Sequence, residues 1–151
     1  MVATMRQEFL MLAERAEAAN GKVFIHGGAV ERHFAAGFPT ALNVDIAASF
    51  LIGWAESNRA HTMQIRIVGS GGEQLLAIDA QIGPGRPPAA RLGQDIRHLM
   101  AFKGPFPIPV AGSYTVEATS DGVLQEPAFH FWVEQMEPPA STTPQPSSLQ
   151  N

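Results

Sequence analysis

Between His61 and Val68 the chain reads HTMQIRIV, with Met63, Ile65 and Ile67 falling on one side and Thr62, Gln64 and Arg66 on the other. Successive side chains of a strand point to opposite faces, so this run specifies a half-buried β-strand. The same period returns four times. In ALNVDIAASFLI it turns Leu42, Val44, Ile46, Ala48 and Phe50 inward and Asn43, Asp45 and Ser49 outward. QLLAIDAQI repeats it through Leu76, Ile78, Ala80 and Ile82, SYTVEAT through Tyr114, Val116 and Ala118, and AFHFWVE through Phe129, Phe131 and Val133. Five runs of one kind describe an antiparallel β protein.

Turn chemistry separates the runs. Asn20-Gly21 suits a type I′ hairpin, whose two central residues need positive φ, and Gly69 to Gly72 and Ser120-Asp121-Gly122 are further turns. GPGRPP (83–88) and GPFPIP (104–109) lack donors or fix φ, so they fit crossings between sheets or sheet edges better than central strands. The expectation is an antiparallel two-sheet β-sandwich, Ig-like or C2-like, of about seven to nine strands. Only Gln7 to Ala19, QEFLMLAERAEAA, resists: its residues are strong helix formers, yet the Asn-Gly after it and the apolar KVFIHGG beyond argue for a hairpin whose first strand begins near Arg6.

At 151 residues the chain is one domain by size, able to bury roughly two thirds of its unfolded surface. Cysteine is absent, which removes disulfides, thiolate nucleophiles and sulfur-ligated zinc together. A net charge of −4 and ten scattered basic residues argue against nucleic acid as a partner. No apolar stretch is long enough for a membrane helix, and MVATMRQEFLMLAERA lacks the features of a secretory signal, so a cytoplasmic protein is expected. Residues 1–136 form the domain; residues 137–151, EPPASTTPQPSSLQN, carry four prolines and one large apolar side chain, Leu149, and read as a tail with Leu149 as its sole apolar anchor for a partner.

The order GKVFIHGG, a Pro-led strand from Pro39, WAESNRAH, GPGRPP and FPIPVAGSYTVEATSDG resembles a family of small bacterial proteins known only as a domain of unknown function, over roughly residues 5 to 135. That family's corresponding stretches read close to DGKLYILGGG, PWxEANRxH, VGRPPG and LPPGxY. Here Gly53-Trp54 stands in place of Pro-Trp, and Pro84 is inserted before Gly-Arg-Pro-Pro. The resemblance implies a β-sandwich, supports a strand before Asn20, and carries over no catalytic residue.

WAESNRAH gathers the ligand candidates Trp54, Glu56, Asn58, Arg59 and His61. A catalytic reading takes Glu56 or His61 as general acid or base and Arg59 as an anion clamp. The favoured reading makes Ala55 to Ala60 the corner between two strands, stapled by Trp54, with Glu56 and Asn58 bonding local amides. The histidines at 26, 33, 61, 98 and 130 match no metal-ligand spacing, and no phosphate loop or nucleophile elbow occurs, so neither a metal nor a cofactor is expected. Arg86, stiffened by its prolines, could meet a partner's carboxylate or close a salt bridge across its own loop.

Apolar residues stand where the alternation asks for polar ones: Leu10, Leu12, Phe24, Leu51 and Trp132 point away from the side of Phe9, Met11, Ile25, Phe50 and Phe131. Such strands are either covered or part of an interface. A strip holding Phe24, Leu51 and Trp132 is therefore the candidate surface for a protein partner or a homo-oligomer. A non-catalytic interaction or scaffold subunit ranks first; a small-molecule or glycan binder using Trp54, Trp132 or Tyr114 ranks second; a hydrolase built on Glu56 and His61 ranks third.

Overall fold

The computed structural model describes residues 5–137, so Leu149 and most of the tail lie outside the described residues. Twelve strands form among them: β1 (Met5–Ala19), β2 (Lys22–Gly28), β3 (Arg32–Ala35), β4 (Thr40–Leu42), β5 (Asp45–Ile52), β6 (His61–Gly69), β7 (Gln74–Ile82), β8 (Ile96–Phe102), β9 (Phe106–Ile108), β10 (Gly112–Ser120), β11 (Val123–Leu124) and β12 (Phe129–Gln135). The fold is all-β. The count exceeds seven to nine because β3, β4, β9 and β11 are pieces of two to four residues, too short to display a period.

The first sheet has the order β2-β1-β5-β8, the second β3-β12-β10-β6-β7 with β11 on β10, and β4 pairs β9 separately. All pairings are antiparallel except β12 with β3. The two Pro-rich loops do cross: residues 83–95 carry the chain from the second sheet to the first, and 103–111 carry it back by way of β9. Inward side chains of both sheets meet in one cluster, with Leu12, Ile46, Phe50 and Ile52 from the first and Ile65, Ile67, Val116, Phe131 and Val133 from the second.

β1 is a strand throughout, not a helix, and its turn has φ of 53° at Asn20 and 70° at Gly21. Its alternation is broken once. A bulge between Gln7 and Phe9 makes Glu8 the extra residue, because Gln7 faces Phe50 while Phe9 faces Ser49. Before the bulge odd positions such as Met5 face the core; after it Leu10 and Leu12 do. One extra residue moves every following side chain to the other face, which reverses the expectation that Leu10 and Leu12 point away from the core. Phe9 and Met11 go to the outer face instead.

That outer face is covered, and by the chain's own hairpin. Ala13 and Ala16 of β1, with Val23 and Ile25 of β2, pack with Ala47 of β5 and Ala101 of β8, and the hairpin turn lines one cleft with Arg97 to Leu99. Small side chains on both layers allow the close approach. Ser49, expected to face water, is buried and gives its hydroxyl to Glu8 Oε1 at 2.7 Å.

Glu8 also accepts two bonds from Arg97, at 2.5 and 3.0 Å. The Arg97 hydrogen bond first, then that of Ser49, holds its carboxyl down at about 2 from an ordinary value of 4.5. A depressed carboxyl stabilises the fold above the unfolded value and loses that contribution as pH falls through the folded one. Denaturant midpoints should therefore show Glu8→Gln less stable than the parent at neutral pH, with the gap closing between about pH 4.5 and about pH 2. A gap that stays constant across that range would show Glu8 contributes no proton linkage.

Candidate functional site: the Trp54–His61 corner and the Trp132 edge

β5 ends at Ile52 and β6 begins at His61, so WAESNRAH is the passage between the two sheets. Gly53 is extended, and Trp54–Glu56 form one 3-10 turn, with Glu56 N donating to Gly53 O at 2.9 Å. Buried Ser57 closes it by giving its hydroxyl to Trp54 O at 2.7 Å.

Arg86 reaches this corner from the opposite loop. Its guanidinium carbon lies 3.7 Å from the centre of the Trp54 ring, Nε donates to Ser57 Oγ at 2.7 Å, and Nη2 donates to Trp54 O at 2.6 Å. Gly85 N donates to Ser57 O at 2.8 Å, so backbone and side chain bind the corner together. Trp54 is thus only partly buried by its own sheets; the cation covers its face. Among the described residues Arg86 makes no salt bridge across its own loop; Nε and Nη2 turn to the corner instead.

His61 is buried, with Nε2 2.7 Å from Glu56 O and Nδ1 2.7 Å from Asp121 Oδ2. A carbonyl only accepts, so Nε2 carries a proton. Asp121 is the turn residue of the β10–β11 hairpin, at φ 48°, and its Oδ1 also accepts from Thr62 N at 3.0 Å. Glu56 turns its carboxylate outward to Arg59 Nε at 2.5 Å. Glu56, Arg59 and His61 therefore adjoin one another, but both ring nitrogens of His61 are spent on structure and the two charged side chains on each other. Asn58 is exposed beside them.

The remaining histidines are held separately. Burial first, and the neighbouring His61 second, keep His98 below the usual histidine range; burial does the same to His33, whose Nε2 lies 3.0 Å from Val30 O. Among the described residues no group of three acidic or histidine side chains could hold a metal ion. No helix of the described chain is long and apolar enough to cross a membrane.

A model for a family of unknown function, DUF6941, matches residues 8–129. The chain belongs to that family. The match spans β1 to the start of β12 and takes in the corner, Arg86 and Asp121, so the DUF6941 region contains the whole Trp54–Arg86–His61 assembly. Among curated proteins no match is found.

In this DUF6941 chain the three residues expected to form one strip do not share a face. Phe24 alternates with Val23 and Ile25, which pack with Ala47 on the outer face of the first sheet, and so stands on the opposite face of β2. Leu51 is partly buried, opposite Arg6 and Arg97. Trp132 belongs to the second sheet. There it has company that sequence reasoning missed. Phe34 of β3 and Met136 just past β12 stand on the same outer face, exposed by 55% and 53%, with Trp132 at 43%. Arg32 and Glu134 form an ion pair of 3.7 Å among them. RHFA is too short to show alternation; three large apolar residues near one edge were the available signal.

Proposed function

We propose that the chain is a non-catalytic interaction or accessory subunit, built as a two-sheet β-sandwich, whose docking surface is the edge formed by β3 and β12. Support for the sandwich comes from the single cluster of inward side chains drawn from both sheets. The observation that carries the function is the grouping of Phe34, Trp132 and Met136, half exposed on one face, while the polar residues of the corner bond one another. Exposed aromatic and Met side chains rimmed by charge are the composition of a docking patch.

The test compares tagged full-length chain with Trp132→Ala in affinity purification from its native host. A central Trp is worth at least about 2 kcal/mol in such patches, so partner recovery should fall about 30-fold or more. Equal recovery by both would overturn the proposal.

A second reading, a small-molecule or glycan site at Trp132, is favoured by the polar groups of Ser113, Arg32 and Glu134 beside an exposed indole. Tyr114 is buried and one face of Trp54 is capped by Arg86, which leaves Trp132 as the exposed indole. A fluorescence shift of Trp132 in a Trp54→Phe background, seen with sugars or metabolites, would select this reading.

A further inference from the structure

We propose that β3 pairs with β3 of a second copy of this chain, antiparallel about a two-fold axis at His33, so that two six-stranded sheets become one. The inference rests on the interaction reading above and names its partner. β3 serves β12 through alternate residues: Glu31 O accepts from Trp132 N and Ala35 O from Met136 N, each at 2.7 Å. A strand directs every second residue's main-chain groups to the same neighbour. The N–H and C=O of Arg32 and Phe34 therefore point to the other side, where no described strand lies.

Two open residues spaced i and i+2 suit self-pairing. With the axis at His33, Arg32 opposes Phe34 of the second copy and Phe34 opposes its Arg32; each opposed pair exchanges two hydrogen bonds, so all four open groups on each copy are satisfied. An axis normal to the sheet keeps both outer faces on one side. Each Arg32 side chain then lies beside the Phe34 ring of the other copy, and the two Trp132 side chains extend one apolar strip.

Charge allows the approach. The chain carries −4 overall, which opposes self-association, but within the patch Arg32 and Glu134 neutralise each other at 3.7 Å. The edge itself lacks the proline, lysine or bulge that protects solitary edges: β3 is RHFA, and its register with β12 is unbroken. A foreign extended peptide would meet the same four groups without needing the two-fold match, which is why the self-complementary spacing favours a second copy.

Light scattering of the full chain should give twice 16.2 kDa at tens of micromolar. Amide exchange should slow at Arg32 and Phe34 as concentration rises. Phe34→Pro deletes one outward N–H and leaves the β12 ladder intact, so it should restore the single-chain mass, whereas Phe34→Tyr should remain a dimer. A circular dichroism spectrum of Phe34→Pro matching the parent confirms that the fold survives; if that variant unfolds, the concentration dependence of the Arg32 and Phe34 amides in the parent decides alone. A single-chain mass in the parent that nonetheless captures another protein through Trp132 overturns the second copy and leaves the interaction reading standing. A single-chain mass with no Trp132-dependent capture removes both. A dimer whose Arg32 and Phe34 amides exchange freely places the contact elsewhere and also overturns the inference.

Discussion

Phe131→Ala is expected to lower the unfolding free energy by about 3–5 kcal/mol, the cost of removing a phenyl ring from a packed core. For a domain of this size the melting temperature falls by roughly 10–15 °C. Phe131 is fully buried in β12, its ring stacked on Tyr114 at 5.6 Å and met edge-on by His33 at 5.9 Å. Both contacts vanish with the ring, and the vacated space lies between β10 and β3, which flank β12 and cannot both move in to fill it. Phe131→Leu keeps most of the volume and should lose less than half as much. Thermal melts followed by circular dichroism give the comparison; a fall of a degree or two for alanine would mean that the second sheet closes around the gap.

The second large effect belongs to Arg86. Its alanine variant loses two charge-assisted hydrogen bonds and a cation stacked on an indole, about 2–3 kcal/mol together after allowance for partial exposure of the site, or roughly 5–8 °C. Arg86→Lys should recover little, because an ammonium cannot stack flat on Trp54 while reaching Ser57 Oγ and Trp54 O at once. In a Trp132→Phe background the emission of Trp54 should shift to longer wavelength in both variants as water reaches the ring. A melting curve for Arg86→Lys that overlays the parent would show that charge alone holds the corner.

Where the sequence was legible, it was legible through one property. β6 and β10 alternate without interruption, so Met63, Ile65, Ile67, Tyr114, Val116 and Ala118 could be placed inward from spacing alone. β1 defeats the same reasoning at Glu8, because a bulge has no signature in a row of side chains and reverses everything after it. The cover over Ala47 is a hairpin whose alanines carry little periodic contrast. Of the corner, the sequence supplied the right residues and the wrong relations. Arg86 and Trp54 are 32 positions apart, and Asp121 is 60 from His61, so pairing them required the sheets first. Asp121 looked like a turn residue and is one; its second task as hydrogen-bond partner of His61 depends on β10 lying beside β6.

The folded-over hairpin has a consequence for the order in which the chain can assemble. Met11, Val23 and Ile25 come off the ribosome within the first 25 residues, yet Ala101, one of the surfaces they cover, is made only after two thirds of the chain. β3 waits longer still, for β12 at Phe129–Gln135. Contacts so distant in sequence form late and slowly. During synthesis, then, the N-terminal hairpin presents an uncovered apolar face for most of the chain's elongation, and Glu8 stays without Arg97 until β8 has emerged. The residues that finish the fold of this protein's beginning are made near its end, and an arrest of translation before residue 102 leaves a product with the apolar face of its N-terminal hairpin bare to chaperones and proteases.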